Sequence, residues 1–254
     1  MSGIRVTREN RVTRIEFARL DKKNALTGDM YIMLADALTA ANADSQVRAV
    51  LLHGSADCFT AGNDVADFLK PRPQGENPPV WKLFEALPAL DKPIVAAVGG
   101  PAVGIGTTML LHCDLVYATP AARFQLPFVP LGIVPEFGST YLLPLLAGYQ
   151  RASELLLLGR PFSAQRAYEI GIVTAVVAQE SLLDEAKKTA AALAALPPES
   201  LRLTKRLMKG WQAQTAKAAI AEEGRLVVER LRSPEAKEAM SAFLEKRKPD
   251  FSRF

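Results

Sequence analysis

Four short apolar runs do most to limit what this chain can fold into: VRAVLLHG (47–54), PIVAAV (93–98), DLVYA (114–118) and GIVTAVV (171–177). Runs of this length, rich in Val and Ala and bounded by turn residues, read as buried strands. Helical spacing lies between them, near 78–88 and 104–113, and Met30, Leu34, Ala37, Leu38 and Ala41 share one helical face. Strands alternating with helices predict an α/β core with parallel strands. Residues 4–8 and 12–17 read as a half-buried strand pair, with Thr13, Ile15 and Phe17 alternating against Val12, Arg14 and Glu16.

After Val177 the strand signal stops. Residues 181–196 read as an Ala-rich helix, Pro197–Pro198 breaks it, and three helical stretches follow near 199–213, 215–231 and 234–247. The expected division is an α/β core over 1–196 and a C-terminal helical domain over 197–254 that folds over the core or a neighbouring subunit. KPRPQGENPP (70–79) reads as an exposed loop.

Several function classes drop out early. Two cysteines (Cys58, Cys113) and two histidines (His53, His112) are too few for a disulfide framework or a Cys/His zinc site. MSGIRVTREN has no signal-peptide apolar core. The uncharged stretch from Pro93 to Cys113 is punctuated by glycines and reads as strand, turn and helix rather than a membrane span. A soluble, cytoplasmic protein without a membrane partner is the expectation. Residues 199–254 carry 13 Lys/Arg against 8 Asp/Glu, whereas the remainder carries 18 against 19. A basic last quarter fits either a solvated helical face or a phosphate-bearing small molecule. Nucleic acid is disfavoured, since no aromatic interleaving or Arg-rich run accompanies the charge.

Two loops could hold chemistry. FTAGND (59–64) follows one buried strand, and GGPAVGIG (99–106) follows another and opens a helix. Backbone N–H groups at such places can point at an anion. The glycines match neither a dinucleotide fingerprint nor a P-loop. Two amide donors from separate strand ends have the geometry of an oxyanion hole, each donor contributing about 3–4 kcal/mol in the transition state.

The ordered set KKNALT (22–27), FTAGND (59–64), AAVGGPAVGIG (96–106), HCDLVYAT (112–119) and FVPLGIVPEFGST (128–140) resembles the crotonase (enoyl-CoA hydratase/isomerase) superfamily. GRPFSAQRAYEIGIVTAVV (159–177) and MSAFLEKRKPDF (240–251) extend the likeness over nearly the whole chain. The resemblance implies a spiral of ββα units with a C-terminal helical domain, acyl-CoA substrates, and a homotrimer or dimer of trimers. It implies backbone donors at Asn63 and Ile105. It implies coenzyme A contacts from Lys22, Ala25, Ala61, Asp64 and Val65, with Phe243 and Lys246 reaching the nucleotide end. Coenzyme A enters as part of the substrate, and no metal or redox cofactor is expected.

One departure from the family pattern bears on the reaction. Hydratases of the superfamily use two glutamates at positions occupied here by Thr108 and Phe128, neither of which can activate water. These two become acyl-pocket wall. The remaining carboxylate is Glu136, in an arrangement similar to the Δ3,Δ2-enoyl-CoA isomerase branch. It reads either as a helix-start acid complementing the dipole or as a desolvated general base. A lone base suffices for a 1,3-proton shift, so isomerase is the leading expectation. Residual hydration, thioester hydrolysis or decarboxylation is the second, and a non-catalytic coenzyme A-binding subunit the third. Asp114 reads as a structural hydrogen-bonding residue, Cys58 and Cys113 as small buried hydrophobes, and Ser139 and Thr140 as first-turn helix residues. His112 reads as a cation at a helix end.

Overall fold

The computed structural model describes residues 3–68 and 77–254. Strands β1 (Ile4–Glu9) and β2 (Val12–Phe17) pair antiparallel, Ile4 opposite Phe17. Their connection places Asn10 and Arg11 at φ of 49° and 64°, the left-handed backbone that a two-residue hairpin turn needs. The expected alternation holds: Ile15 and Phe17 are buried, while Arg14 and Glu16 are half-buried.

The further strands are β3 (Ala49–His53), β4 (Ile94–Val98), β5 (Pro101–Val103), β6 (Leu115–Ala118), β7 (Arg123–Gln125), β8 (Phe162–Ser163) and β9 (Ala175–Val176). One sheet runs β1-β2-β3-β4-β6-β9, parallel from β2 onward, and β5-β7-β8 form a second. Three inner strands of the first sheet, β3, β4 and β6, run on into the second layer. β4 turns at Gly99–Gly100 into β5, and β6 leads to β7. After β3, Thr60 pairs beside Ala102, which in turn pairs with Phe124 of β7. This repeat is the spiral of ββα units expected from the sequence.

The helices are α1 (Gly28–Ala43), α2 (Val65–Phe68), α3 (Val80–Ala86), α4 (Ile105–Thr108), α5 (Ser139–Ala147), α6 (Tyr149–Leu158), α7 (Ala164–Glu169), α8 (Leu182–Ala195), α9 (Pro198–Arg230) and α10 (Pro234–Leu244). A 3₁₀ turn over Met109–His112 continues α4. Alternation along the central strands supplies two cores. Val50, Leu52, Ile94, Ala96 and Val98 face the large one with α1. Ala49, Leu51, Val95 and Ala97 face a smaller one closed by Leu182, Ala186, Ala190 and Ala194 of α8. Spacing by four puts these small side chains on one stripe, so the helix lies close on the sheet.

Two expectations need correction, the break within the long C-terminal helix and the charge of His112. The stretches near 199–213 and 215–231 are one helix, α9, because no breaker stands between them and Pro197–Pro198 acts only at its start. Much of the basic surplus is tied up within the chain. Lys205 and Lys209 meet Asp114, Arg202 and Arg206 meet Asp91, and Arg247 and Arg253 meet Glu238. His112 is not a cation: burial drives its pKa down to about 4. Of KPRPQGENPP (70–79), residues 70–76 lie outside the described residues.

Asp114 has the structural part expected of it. Its carboxylate accepts from the Ile94 amide at 2.8 Å and pairs with buried Lys205 at 2.7 Å. Lys205 also donates to the Lys92 carbonyl at 2.6 Å, joining α9 to the start of β4. Lys92 in turn caps the end of α1 through the carbonyls of Ala41 and Asp44. Cys58 and Cys113 are free thiols, buried and half-buried respectively. No helix among the described residues is long and apolar enough to cross a membrane.

Candidate active site

The two loops singled out in the sequence lie side by side. Thr60 N donates to Pro101 O at 3.0 Å, and Val103 N donates to Thr60 O at 3.1 Å. The approach depends on two glycines. A Cβ on Gly62, whose φ is +89°, would stand 2.6 Å from Val103 O, and one on Gly106 would stand 2.6 Å from Thr60 Cγ2.

Asn63 forms a parallel bridge with Leu26 in which its neighbours make the bonds: Leu26 N donates to Gly62 O, and Asp64 N donates to Leu26 O. That pattern turns the Asn63 N–H away from Leu26. Ile105 is the first residue of α4, where an N–H has no partner within the helix. Among the described residues neither amide donates to a backbone acceptor. The Asn63 side chain is anchored separately, accepting from the Tyr31 hydroxyl at 2.5 Å.

The KKNALT segment is stapled against the same loop by Asn24, whose importance sequence reading missed. Asn24 is fully buried with φ of 53°, and it donates to the carbonyls of Cys58 and Phe59 while accepting from Arg19 N. An Asn that tolerates left-handed backbone inside a turn was the available signal. Ala61 N donates to Lys23 O at 3.0 Å, and Arg19 bridges Ala25 O and Asp64 Oδ2 at 2.9 and 2.7 Å. Lys22, Ala25, Ala61, Asp64 and Val65 are thus brought to one neighbourhood. Phe243 and Lys246 are exposed on and just beyond α10, which packs on the 129–131 turn, and no described contact joins them to that group. Thr108 is fully buried and Phe128 is 4% exposed within the large core.

Glu136 precedes a two-residue left-handed turn, Phe137 at φ 62° and Gly138 at φ 75°, that opens into α5. A fully buried Phe in this conformation is uncommon and held by its surroundings. Its ring stacks between Phe84, at 4.4 Å between centroids, and His112, at 4.1 Å. His112 Nε2 donates to Phe137 O at 2.8 Å.

The dipole-complementing acid at the start of α5 is Glu223, from α9. Its carboxylate accepts from Gly138 N at 2.6 Å, from Thr140 N at 2.9 Å and from Thr140 Oγ1 at 2.5 Å. Nothing in the sequence marked Glu223. Ser139 and Thr140 are first-turn residues, as expected. Glu136 itself is 6% exposed, and its Oε1 is buried with no hydrogen-bond partner. Burial and then the neighbouring Glu223 push its pKa up to about 8. A carboxyl group in this state can take up and return a proton near neutral pH. Among the described residues no cluster of His, Cys, Asp and Glu could hold a metal ion.

Comparison with known proteins adds to this geometry. Residues 7–253 match the family profile described as enoyl-CoA hydratase/isomerase. The crystal structure of an enoyl-CoA hydratase/isomerase from Pseudoalteromonas atlantica T6c superposes with a TM-score of 0.95 at 44% identity, covering 98% of this chain and 99% of that one. Two Escherichia coli (strain K12) proteins are each 34% identical over 252 residues. A 1,2-epoxyphenylacetyl-CoA isomerase is matched over 96% of both chains. A 2,3-dehydroadipyl-CoA hydratase is matched over 99% of both.

Proposed function

This chain belongs to the enoyl-CoA hydratase/isomerase family of the crotonase superfamily, and within it we propose that it is a Δ3,Δ2-enoyl-CoA isomerase with Glu136 as its single base. The buried, unpartnered carboxyl group of Glu136 carries this reading. Relatives of similar identity are named as isomerase and as hydratase, so the choice rests on the side chains.

Glu136, ionised, removes a C2 proton from a 3-enoyl thioester. The electron pair spreads over a dienolate whose thioester oxygen is held by the Asn63 and Ile105 amides. The same carboxylic acid returns the proton at C4, leaving a 2-enoyl thioester. Proton and electrons balance without water. Thr108 and Phe128, which cannot ionise as acids at neutral pH, wall the acyl pocket and exclude water. Hydration would need a second carboxylate to work with Glu136, and neither position supplies one.

Lys22, Ala25, Ala61, Asp64 and Val65 form one end of the coenzyme A contact, and Phe243 and Lys246 the nucleotide end. The chain works in the cytoplasm as a homotrimer or a dimer of trimers. Leu203, Leu207, Met208 and Trp211, exposed along α9, support a subunit contact.

The test offers a 3-enoyl-CoA and a 2-enoyl-CoA and follows the absorbance of the conjugated thioester. A rise with the first and little loss with the second is expected. Glu136→Gln lowers turnover by about 10²–10⁴ with coenzyme A binding retained. Rapid loss of the 2-enoyl substrate would instead assign hydration. A near-normal rate for Glu136→Gln would remove that residue from the mechanism.

A further inference from the structure

Glu136 stands on a backbone turn that does not hold itself. Consecutive residues at positive φ, one of them a buried Phe, relax to ordinary backbone unless surrounding contacts over-determine them. Two clamps act on this turn. One is the ring stack of Phe84, Phe137 and His112. The other is the Glu223 carboxylate, which spans Gly138 and Thr140 from a helix 85 residues further along the chain.

We propose that Glu223 is a positioning residue of the active site: from α9 it fixes the turn that carries Glu136 and holds a negative charge beside it. The inference rests on the reading of Glu136 as the base. Glu223 is 5% exposed, and Ile220 and Gly224 next to it on the inward face of α9 pack against Gly138 and the Trp81 ring. Its position is therefore set by helix packing and not by the turn it serves.

The two carboxyl groups sit in contrasting surroundings. Burial raises the pKa of Glu223 above the ordinary carboxylate value, but the Thr140 hydroxyl and the amides of Thr140 and Gly138 at a helix N-terminus donate to it and hold that rise back. Glu136 Oε1 has no donor, so of the pair it is Glu136 that keeps the proton. Other groups packed around the turn do not offset this. His112 is buried and neutral, Thr140 is uncharged, and Lys209 is engaged by His112 O and Asp114. Glu223 thus raises the pH at which the base becomes available and keeps the acid form ready to return a proton.

The experiment compares full-length wild type, Glu223→Gln and Thr140→Val as pH profiles of kcat/KM on a 3-enoyl-CoA. Gln keeps an acceptor oxygen but no charge, and Thr140→Val removes one donor while leaving the amides. In Glu223→Gln the acid limb is expected to move down by about one pH unit. Its alkaline-plateau kcat should fall about tenfold at a KM within about twofold, the loss of position without loss of binding. Thr140→Val should move the limb the same way by less, and it decides the matter if the first variant does not fold. An unmoved limb with wild-type kcat would reduce Glu223 to a fold-stabilising contact.

Should wild type not isomerise at all, the base reading fails separately, and a titration independent of turnover still decides this one. The infrared difference between wild type and Glu136→Gln isolates the Glu136 carboxyl band. Its midpoint should lie lower in the Glu223→Gln background. Equal midpoints would overturn the proposal.

Discussion

The hydroxyl of Tyr31 lies 2.5 Å from Oδ1 of Asn63, so a residue of α1 holds the side chain of the residue whose amide we assign to the thioester oxygen. Tyr31 is 4% exposed, and its ring is fixed in the large core. Tyr31→Phe keeps that packing and removes the bond, leaving a half-buried amide oxygen without this donor. We expect kcat/KM on a 3-enoyl-CoA to fall about tenfold, the usual size of one such loss. A value within twofold of wild type would show that Asn63 is held by its backbone alone.

Glu136 gives the protein two pH dependences of opposite sign. Its base form is populated only as pH climbs through about 8. We therefore expect kcat/KM to rise with pH from 6 and to level off above that value. Stability runs the other way. Between the ordinary 4.5 and about 8 the folded chain keeps this proton, whereas the unfolded chain releases it. The group's contribution to stability is fully present below the lower value and is lost as pH rises through the upper one. Glu136→Gln should accordingly melt at a higher temperature than wild type at pH 9, with the gap narrowing toward pH 5. A gap that is constant across this range would contradict the raised pKa.

Removing the Lys205 ammonium leaves Asp114 with only the longer contact to Lys209, at 3.7 Å, and the Ile94 amide. Lys205 is 5% exposed, so solvent offers little compensation. Breaking a buried pair by deleting one partner costs about 3 kcal/mol or more. Lys205→Ala should show a lower urea midpoint at an unchanged slope. An unchanged midpoint would mean that α9 is held by apolar packing alone.

At the end of α10 that we propose meets the nucleotide, Arg247 and Arg253 are engaged by Glu238, whereas Lys246 enters no ion pair among the described residues. Lys246→Ala is expected to raise the Kd for coenzyme A about two- to fivefold, the range of an exposed charge pair. Titration calorimetry checks it, and an unaltered Kd would remove Lys246 from the contact.

What was legible in the sequence follows from where the information sits. The central parallel strands show as apolar runs because both of their faces are covered. The two amide-bearing loops show because close backbone approach demands glycine at positions such as Gly62 and Gly106. Glu136 shows by its neighbours Pro135 and Gly138. Its partner does not. Glu222 and Glu223 are adjacent and chemically identical in sequence, yet Glu222 is exposed and bonds Arg225 while Glu223 is buried. One step of helical phase separates the two fates, and the phase is fixed only by what α9 packs against. The expected break between 213 and 215 has a related cause. Apolar spacing lapses where α9 faces outward, although the backbone continues as one helix. His112 was misjudged because proximity to a helix end is visible in a sequence and burial is not.

The length of α9 has a mechanical consequence. From the Lys205 anchor to the Glu223 clamp the helix spans about 27 Å at its ordinary rise, with no proline between them to act as a hinge. It is a stiff lever with one arm bolted to the sheet and the other pressed on the turn that carries Glu136. Whatever grips its outward side, whether a sister subunit or a fused tag, also bears on the setting of Glu136.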